Sequence, residues 1–488
     1  MKRNLLKVAV FLFAAVVSVG AMAQTVALQE PKKEAADTYE KVADKYQLVN
    51  QWYRSATGGN YSPTDIGGAN TVRGMVAKDG KMYFCYRSGN VGENSIIVVD
   101  GETGLYEKTI SLSSDAFVSE STNAETGELV RANTVTLPNN DIKVDTEGNF
   151  LVGGCATSNT QPVHIYKVDI ETGDCEELIN EVLADNPEFA TIEFRCDAFG
   201  VFGDVNGSAV VMVANTKSFT AFRWVIEDGV AGKAELVTLA DADGDGAIAK
   251  NGDAAQIMPI SEDLFYVDGM DTYPTLYQYD GAGKAAVMES FYSEETGDGL
   301  PILKTFNTNN NGIKDFELVN AEGETEFFLC CAACNNAGTP KHSFAIVKYA
   351  DEMMSFQTAE LIYQFPLAGF GNVSLAYRTA PAFVEENPNN PNAADIYVYA
   401  GENGFARYTF SCDGADIDQD QDVENGEMVG VEDVTVANVY TEGGLVVAEG
   451  EFEIFTVTGQ NVTAQNGNLA QGAYIVKAAN ATAKVIVK

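Results

Sequence analysis

The residues with the clearest chemical pattern form an acidic, glycine-containing segment near the middle of the chain. Asp241, Asp243 and Asp245 stand at every second position of the run DADGDG. Carboxylates at this spacing before a glycine can converge on one Ca²⁺ ion, as in the first half of an EF-hand loop. The twelfth position is Gly252 rather than the bidentate glutamate, and Asp253 follows it. The pattern predicts a structural Ca²⁺ site with these four aspartates as ligands, and the alternative is a solvated acidic turn.

Nucleophilic and redox chemistry finds less support. His164 and His342 are the two histidines, and neither stands beside a Gly-x-Ser-x-Gly elbow, so we expect no Ser-His-Asp triad. Cys331 and Cys334 have the spacing of a redox pair, but a strand and the run NNAG flank them rather than a βαβ unit. Most of the eight cysteines lie in apolar runs. We interpret these as small buried side chains, with one or two disulfides as the alternative.

The charge balance excludes whole classes of function. The chain has 488 residues, with 70 Asp and Glu against 31 Lys and Arg, and a formal net charge of -39. Such a surface repels phosphate backbones, so we expect no nucleic-acid partner. Two histidines are also too few for a catalytic zinc site built on several imidazoles.

An internal repeat predicts the architecture. A short apolar run that ends in small residues recurs six times, with a mean period of about 63 residues. The runs lie at residues 82–88, 150–156, 210–215, 264–269, 327–332 and 396–401. Acid-and-glycine turns lead from most of them to further alternating strands. Four strands per repeat, arranged radially, is the plan of a β-propeller.

The last repeat lacks a final strand, and the segment from Tyr46 to Arg54 precedes the first repeat. We therefore expect this N-terminal segment to complete the last blade, which would close the ring without exposed edges. The prediction is an all-β chain with a six-bladed propeller over residues 44–412. Seven blades is one alternative, because residues 296–311 could hold more strands. A pair of β-sandwiches is the other.

Both ends of the chain differ from the repeats. Residues 1–23 have a basic start, an apolar stretch and an Ala-x-Ala end, which predicts a cleaved signal peptide. Residues 24–43 form a charged lead-in and residues 413–427 an acidic linker. Elsewhere no stretch is long and apolar enough to predict a transmembrane segment.

Residues 428–488 predict a separate small β unit with strands at 434–440, 444–448, 451–457, 473–478 and 483–487. Its motifs are VGVEDV at 429–434, FEIFTVTGQNV at 452–462, LAQGAYIVK at 469–477 and KVIVK at 484–488. Together they resemble the type A C-terminal sorting domain of the type IX secretion system of Bacteroidota. This resemblance implies an immunoglobulin-like β-sandwich that the outer-membrane secretion machinery recognises. It also implies a location at the cell surface or in the medium, with the periplasm as the alternative.

Loops at one end of a propeller commonly bind its ligand, and aromatic side chains there could stack on sugars or peptides. Aromatic residues near the predicted loops are Trp52, Tyr53, Tyr61, Phe199, Phe202, Tyr273, Phe370 and Tyr377. The sequence thus favours an exported, non-enzymatic protein that binds a glycan, a peptide or a partner protein. The alternatives are a glycan hydrolase or lyase with carboxylates at the propeller mouth and a structural surface component.

Overall fold

The structure of the protein is a computed structural model. It describes residues 45–56, 58–62, 65–67, 71–241, 251–270, 272, 274–290, 310–333, 343–349, 359–365, 382–386, 390–412, 440–442, 445–447, 452–456, 461–470, 472–478 and 481–487. The signal peptide, the lead-in and the acidic linker predicted above lie outside these residues. The chain divides into two compact units, Met1–Ile417 and Asp418–Lys488.

The first unit is built from strands. Those before residue 200 are β1 (Tyr46–Ser55), β2 (Val72–Lys78), β3 (Lys81–Tyr86), β4 (Ser95–Asp100), β5 (Tyr106–Ser111), β6 (Val118–Thr122), β7 (Leu129–Asn133), β8 (Leu137–Val144), β9 (Phe150–Cys155), β10 (Pro162–Val168), β11 (Cys175–Val182) and β12 (Phe199–Gly203). One 3₁₀ turn, Leu183–Asp185, follows β11.

The remaining strands of this unit are β13 (Ala209–Ala214), β14 (Thr220–Glu227), β15 (Val230–Ala231), β16 (Glu235–Leu239), β17 (Asp253–Pro259), β18 (Leu264–Met270), β19 (Thr275–Tyr279), β20 (Lys284–Ser290), β21 (Asn310–Val319), β22 (Thr325–Ala333), β23 (Ser343–Lys348), β24 (Glu360–Phe365), β25 (Ala382–Glu386), β26 (Ala393–Ala400) and β27 (Gly404–Cys412).

These strands form a propeller-like arrangement of antiparallel sheets. Four sheets have four strands each, in the orders β2-β3-β4-β5, β8-β9-β10-β11, β21-β22-β23-β24 and β25-β26-β27-β1. A nine-stranded sheet contains β12 to β20, and in it β16 and β20 meet in a parallel pairing of only two residue pairs. The strand that begins each of the four orders given above, and the two end strands β12 and β17 of the nine-stranded sheet, are here called the first strands. They contact one another in a closed cycle, from β2 to β8, β12, β17, β21 and β25 and back to β2. The fold therefore surrounds a centre lined by first strands.

The recurring apolar runs of the sequence are the second strands of these sheets. Val210 to Val213 of β13 are all buried, as are Phe150 to Val152 of β9. A β-branched and aromatic run with no polar face fits a strand covered on both sides. Side chains of adjacent sheets interlock between them, and each large apolar side chain buried there contributes about 1.5–3 kcal/mol.

The N-terminal strand closes the arrangement as predicted. β1 pairs antiparallel with β27, from Tyr46 opposite Cys412 to Ser55 opposite Gly404. Trp52 of β1 is buried, and its indole Nε1 donates a 2.7 Å hydrogen bond to the carbonyl oxygen of Gly101. Without β1, the whole hydrogen-bonding edge of β27 would be open.

The predicted acid-and-glycine hairpin turns are also present. In the turn after β4, the backbone N–H of Thr103 donates to Oδ1 of Asp100 over 2.7 Å. Gly104 has φ of +65°, and a Cβ there would lie 2.7 Å from the ring of Trp52. Both the backbone angle and the close approach require glycine at this position.

The second unit is a small β structure. Its strands are β28 (Tyr440–Glu442), β29 (Leu445–Val447), β30 (Phe452–Thr456), β31 (Gly472–Ala478) and β32 (Ala481–Val487), with a 3₁₀ turn at Thr463–Gln465. β28 pairs with β29, and β30, β31 and β32 form a second sheet. Val446, Ile454, Val462, Tyr474 and Val476 form its core. The strands predicted at 444–448, 451–457, 473–478 and 483–487 are confirmed, whereas most of 434–440 lies outside the described residues.

Candidate functional site

A cavity of about 370 Å³ lies among the first strands of the first unit. All of the first strands contribute side chains or backbone to its wall. Its lining is Met75, Val76, Lys143, Val144, Asp145, Thr146, Gly200, Val201, Phe202, Gln256, Ile257, Met258, Pro259, Ile260, Tyr266, Asp268, Lys314, Asp315, Ala382 and Phe383. The volume is at the lower end of the range for small-molecule sites, and a mostly apolar wall with a few charged groups is typical of such sites.

Two glycines allow the first strands to approach closely enough to shape this cavity. A Cβ at Gly200 of β12 would lie 2.4 Å from the carbonyl oxygen of Ile257 in β17. A Cβ at Gly74 of β2 would lie 2.7 Å from the backbone of Asp141 in β8. Neither contact is possible for a larger residue without movement of the backbone.

Lysine ammonium groups bring positive charge to the cavity wall. Nζ of Lys143 lies 2.7 Å from both carboxylate oxygens of Asp141 and 5.7 Å from the centre of the Phe199 ring. Lys314 lies beside Asp315, with 3.6 Å between Nζ and Oδ1. Asp141 is buried and also accepts a hydrogen bond from the backbone N–H of Phe199. These contacts hold Lys143 in one orientation while part of its side chain stays exposed.

The carboxylates of the cavity differ in how far they are already occupied. Asp145 accepts hydrogen bonds at 2.8–3.0 Å from the backbone of Glu147, Asn149 and Val205 and from the Asn149 amide. Asp145 therefore holds the turn after β8 and has little capacity left for a ligand. Asp268 is 1 % exposed and Asp315 is partly buried. Asp315, Lys143 and Lys314 can offer a ligand both an acceptor and donors.

The aromatic residues predicted to contact a ligand are distributed over different environments. Trp52 and Tyr61 are 4 % and 6 % exposed and belong to the same core cluster. Their rings are thus covered by protein in this structure, and their contact with a ligand stays a prediction. Tyr53 is partly buried against another cluster. Phe202 does line the cavity, and Phe199 packs beneath Lys143. Tyr273, Phe370 and Tyr377 lie outside the described residues.

Most of the predicted Ca²⁺ loop also lies outside the described residues. Asp241 is described at one side of this loop and the backbone of Asp253 at the other, while Asp243 and Asp245 are not. In the described parts of the chain, no group of three or more His, Cys, Asp or Glu side chains could hold a metal ion. The Ca²⁺ site stays a prediction.

His164 is held by hydrogen bonds on both ring nitrogens. Nδ1 lies 2.9 Å from the Thr134 hydroxyl and Nε2 lies 2.8 Å from Oε2 of Glu177. Burial lowers the pKa of His164, and the hydrogen bond and charge of Glu177 oppose that effect. The imidazole packs between Phe117 and Tyr166, so we interpret it as a clamp between the β7–β8 connection and β11. His342 lies outside the described residues.

The described cysteines fit their interpretation as small buried side chains. Cys85, Cys155, Cys196, Cys330 and Cys412 are buried free thiols, and Cys175 is a partly buried one. Cys334 lies outside the described residues, as does the side chain of Cys331. Among the described residues, no helix has the length and the apolar composition that crossing a bilayer requires.

Comparison with known proteins gives one family match and several distant structural ones. Residues 111–317 match a domain of unknown function, DUF8500. A DUF4623 family protein from Bacteroides eggerthii DSM 20697 is 13 % identical over 78 % of each chain, with a TM-score of 0.49. AofleA from Arthrobotrys oligospora is 10 % identical over 70 % of this chain and 84 % of its own, with a TM-score of 0.40. The WD40 β-propeller domain of Doa1 is 12 % identical over 73 % and 96 %, with a TM-score of 0.31. No curated protein matches the chain.

Proposed function

We propose that the protein is an exported, non-enzymatic binding protein that holds part of a glycan or peptide in the cavity among its first strands. The observation that carries the proposal is the composition of this wall. Apolar side chains such as Val201 and Ile257 stand beside exposed parts of Lys143 and Lys314. An amphipathic wall of this kind can cover a small ligand segment and fix its orientation through a few polar contacts.

The proposed architecture of this binding unit is a six-bladed propeller. β16 and β20 share only two residue pairs, so the nine-stranded sheet divides naturally into two blades, β12 to β16 and β17 to β20. The direct contact between β17 and β21 supports six blades rather than seven. With β1 completing the last blade, every proposed blade has four successively paired strands, and β15 is an additional strand that pairs with β14.

The proposed location is the cell surface or the medium, with the periplasm as the alternative. Support comes from the signal-peptide pattern of residues 1–23 and from the sorting-domain motifs of residues 428–488. In a bacterium with a type IX secretion system, the full chain should appear outside the cell with its N-terminus at Gln24. A variant that lacks residues 428–488 should stay in the periplasm. Secretion of the truncated chain to the medium would contradict the role of the C-terminal unit.

The binding proposal can be tested by filling the cavity. We would screen the purified protein against a panel of glycans and peptides by calorimetry and repeat the measurement with Val201→Trp. Val201 is half-buried in the wall, so an indole there should occupy the ligand space and weaken binding at least tenfold. Val230→Trp is the matched control, since Val230 is 69 % exposed and lies outside the cavity. Equal binding by both variants would refute the cavity as the site.

A glycan hydrolase or lyase is the alternative, and one observation favours it. Asp268 and Asp315 line the same cavity, and two carboxyl groups that flank a glycosidic bond are the usual catalytic pair. Asp315→Asn would then abolish turnover of a bound glycan while leaving its affinity largely intact. Binding without release of reducing ends by the wild-type protein would argue against this alternative.

A further inference from the structure

Arg87 lies just after β3 and is not part of the cavity lining, and its guanidinium has an unusual environment. It is partly buried, and Nη1 donates a 3.3 Å hydrogen bond to Oδ1 of Asn140. Across the described residues, no carboxylate lies within ion-pair distance of Arg87. A partly buried charge without an opposite charge is costly, and proteins seldom keep one without a use.

The neighbours of Arg87 add positive rather than negative charge. Burial, followed by the nearby charge of Arg73, lowers the pKa of Arg87 to about 10, so the guanidinium is still protonated at neutral pH. The Arg73 side chain is 5 % exposed, and its Nη1 lies 3.5 Å from Oδ1 of Asp197. Arg73 is thus close enough to repel Arg87.

The acid that pairs with Arg73 is already engaged by a third arginine. Asp197 is 4 % exposed and accepts two hydrogen bonds from Arg195, one to each carboxylate oxygen. Its backbone oxygen accepts from the amide of Asn140 over 2.6 Å. Arg195 and Asp197 therefore fix Asn140, and Asn140 in turn orients Arg87.

We propose that Arg87, oriented by Asn140 and supported by Arg73, binds the carboxylate group of a ligand at a site separate from the cavity. The planar guanidinium matches a carboxylate in bidentate geometry, and one singly charged anion would balance the charge of Arg87. The position is unexpected in a chain of net charge -39, whose overall field repels anions. To bind an anion, the protein needs a local positive charge strong enough to overcome this repulsion. Arg87 and Arg73, held by their hydrogen-bond and ion-pair partners, supply such a charge.

The carboxylate could belong to a uronic acid or to a peptide C-terminus, and both present the same group. The probes are therefore galacturonate, with galactose as its neutral counterpart, and an N-acetylated dipeptide, with its C-terminal amide as the counterpart. Each is titrated into the purified protein at low and at moderate salt. We expect at least one of the two carboxylates to bind, its neutral counterpart to bind at least tenfold more weakly, and salt to weaken the interaction.

Two variants separate a ligand site from a structural arginine. Arg87→Gln should reduce carboxylate affinity at least tenfold without lowering the melting temperature, because it removes a charge that no carboxylate balances. Arg131→Gln is the matched control, since Arg131 pairs with Glu120 on the exposed β6–β7 hairpin, and it should bind as the wild type does. Val201→Trp should also leave carboxylate binding unchanged, which separates this site from the cavity.

Four results would overturn the inference. The first is a wild-type protein that binds neither carboxylate, and the second is an Arg87→Gln variant with unchanged affinity. The third is an Arg87→Gln variant with a markedly lower melting temperature, which would make the arginine structural. The fourth is loss of carboxylate binding in Val201→Trp alone, which would place the carboxylate in the cavity and leave the proposed function standing without this site.

Discussion

The hydroxyl of Tyr46 donates a 2.7 Å hydrogen bond to Oε2 of Glu326, joining the N-terminal strand β1 to β22 of the neighbouring sheet. Glu326 is 6 % exposed, and Lys45 and Lys348 also pair with its carboxylate. The ring of Tyr46 packs against Phe328 and Phe410. One carboxylate therefore ties the strand that completes the last sheet to the sheet beside it.

This relationship predicts that acid weakens the attachment of β1 to the neighbouring sheet. Burial raises the pKa of Glu326, but hydrogen bonds from Lys45, Tyr46 and Lys348 lower it more, to about 2. Because this folded value is below the usual 4.5, the stabilisation is present above about pH 4.5 and is lost as the pH falls towards 2. Glu326→Gln should lower the free energy of unfolding by about 3 kcal/mol at pH 7, and much less at pH 3. Thermal unfolding at both pH values measures this difference.

The control for this prediction is Glu322→Gln, because Glu322 is an exposed residue in the turn before β22. It should leave the melting temperature within about 1 °C of the wild type, as most surface substitutions do. A Glu326 variant with the same loss of stability at pH 7 and pH 3 would show that the carboxylate charge is not what ties β1 in place.

A second pH effect is expected at His164. Since burial lowers its pKa in the folded protein below the ordinary 6.5, folding disfavours the protonated imidazole. Stability should therefore fall as the pH drops below about 6.5, and His164→Gln should flatten this part of the profile. NMR titration of the imidazole protons measures the pKa directly, and His342→Gln leaves a single signal to follow. A value of 6.5 or higher for His164 would contradict the prediction.

The strands of the fold could be read from the sequence because their signals are local. The run at residues 150–156 contains β9, and the segment from Tyr46 to Arg54 is β1 almost to the residue. Uninterrupted apolar runs and acid-and-glycine turns such as Asp100 to Gly104 identify strands without any distant contact. The partner of β1 was also predictable, because the last repeat lacked a strand.

The candidate sites could not be read in the same way because they depend on distant contacts. Lys143 and Lys314 meet at one cavity although 171 positions separate them, and each alone looks like an ordinary strand residue. Arg87 can be identified as a candidate site only from its contacts with Asn140 and Arg73, which belong to two different strands. Trp52 and Tyr61 looked available as aromatic residues near loops, but strand pairing and packing bury them.

The predicted Ca²⁺ loop can be tested by thermal shift. If Asp241, Asp243 and Asp245 hold the ion, millimolar Ca²⁺ should raise the melting temperature by several degrees through ligand linkage. The double variant Asp243→Asn and Asp245→Asn should lose this shift. The same change at Asp418 and Asp420 in the acidic linker is the control and should keep it. An equal shift in both double variants would indicate general screening of the acidic surface instead.

The spacing of the first strands should be sensitive to a single methyl group at Gly74. A Cβ there would lie 2.7 Å from Cα of Asp141, 2.7 Å from the backbone nitrogen of Ile142 and 2.8 Å from Sγ of Cys85. Two of these atoms are backbone of β8, so Gly74→Ala must push β2 and β8 apart and should cost about 1–3 kcal/mol. Gly89→Ala is the matched control, because a Cβ at Gly89 meets nothing within 4 Å. Since β2 and β8 also carry Met75 and Lys143 of the cavity wall, Gly74→Ala should weaken any ligand held there, and Gly89→Ala should not. A Gly74→Ala protein with wild-type melting temperature would mean that these strands are not held at the spacing seen here.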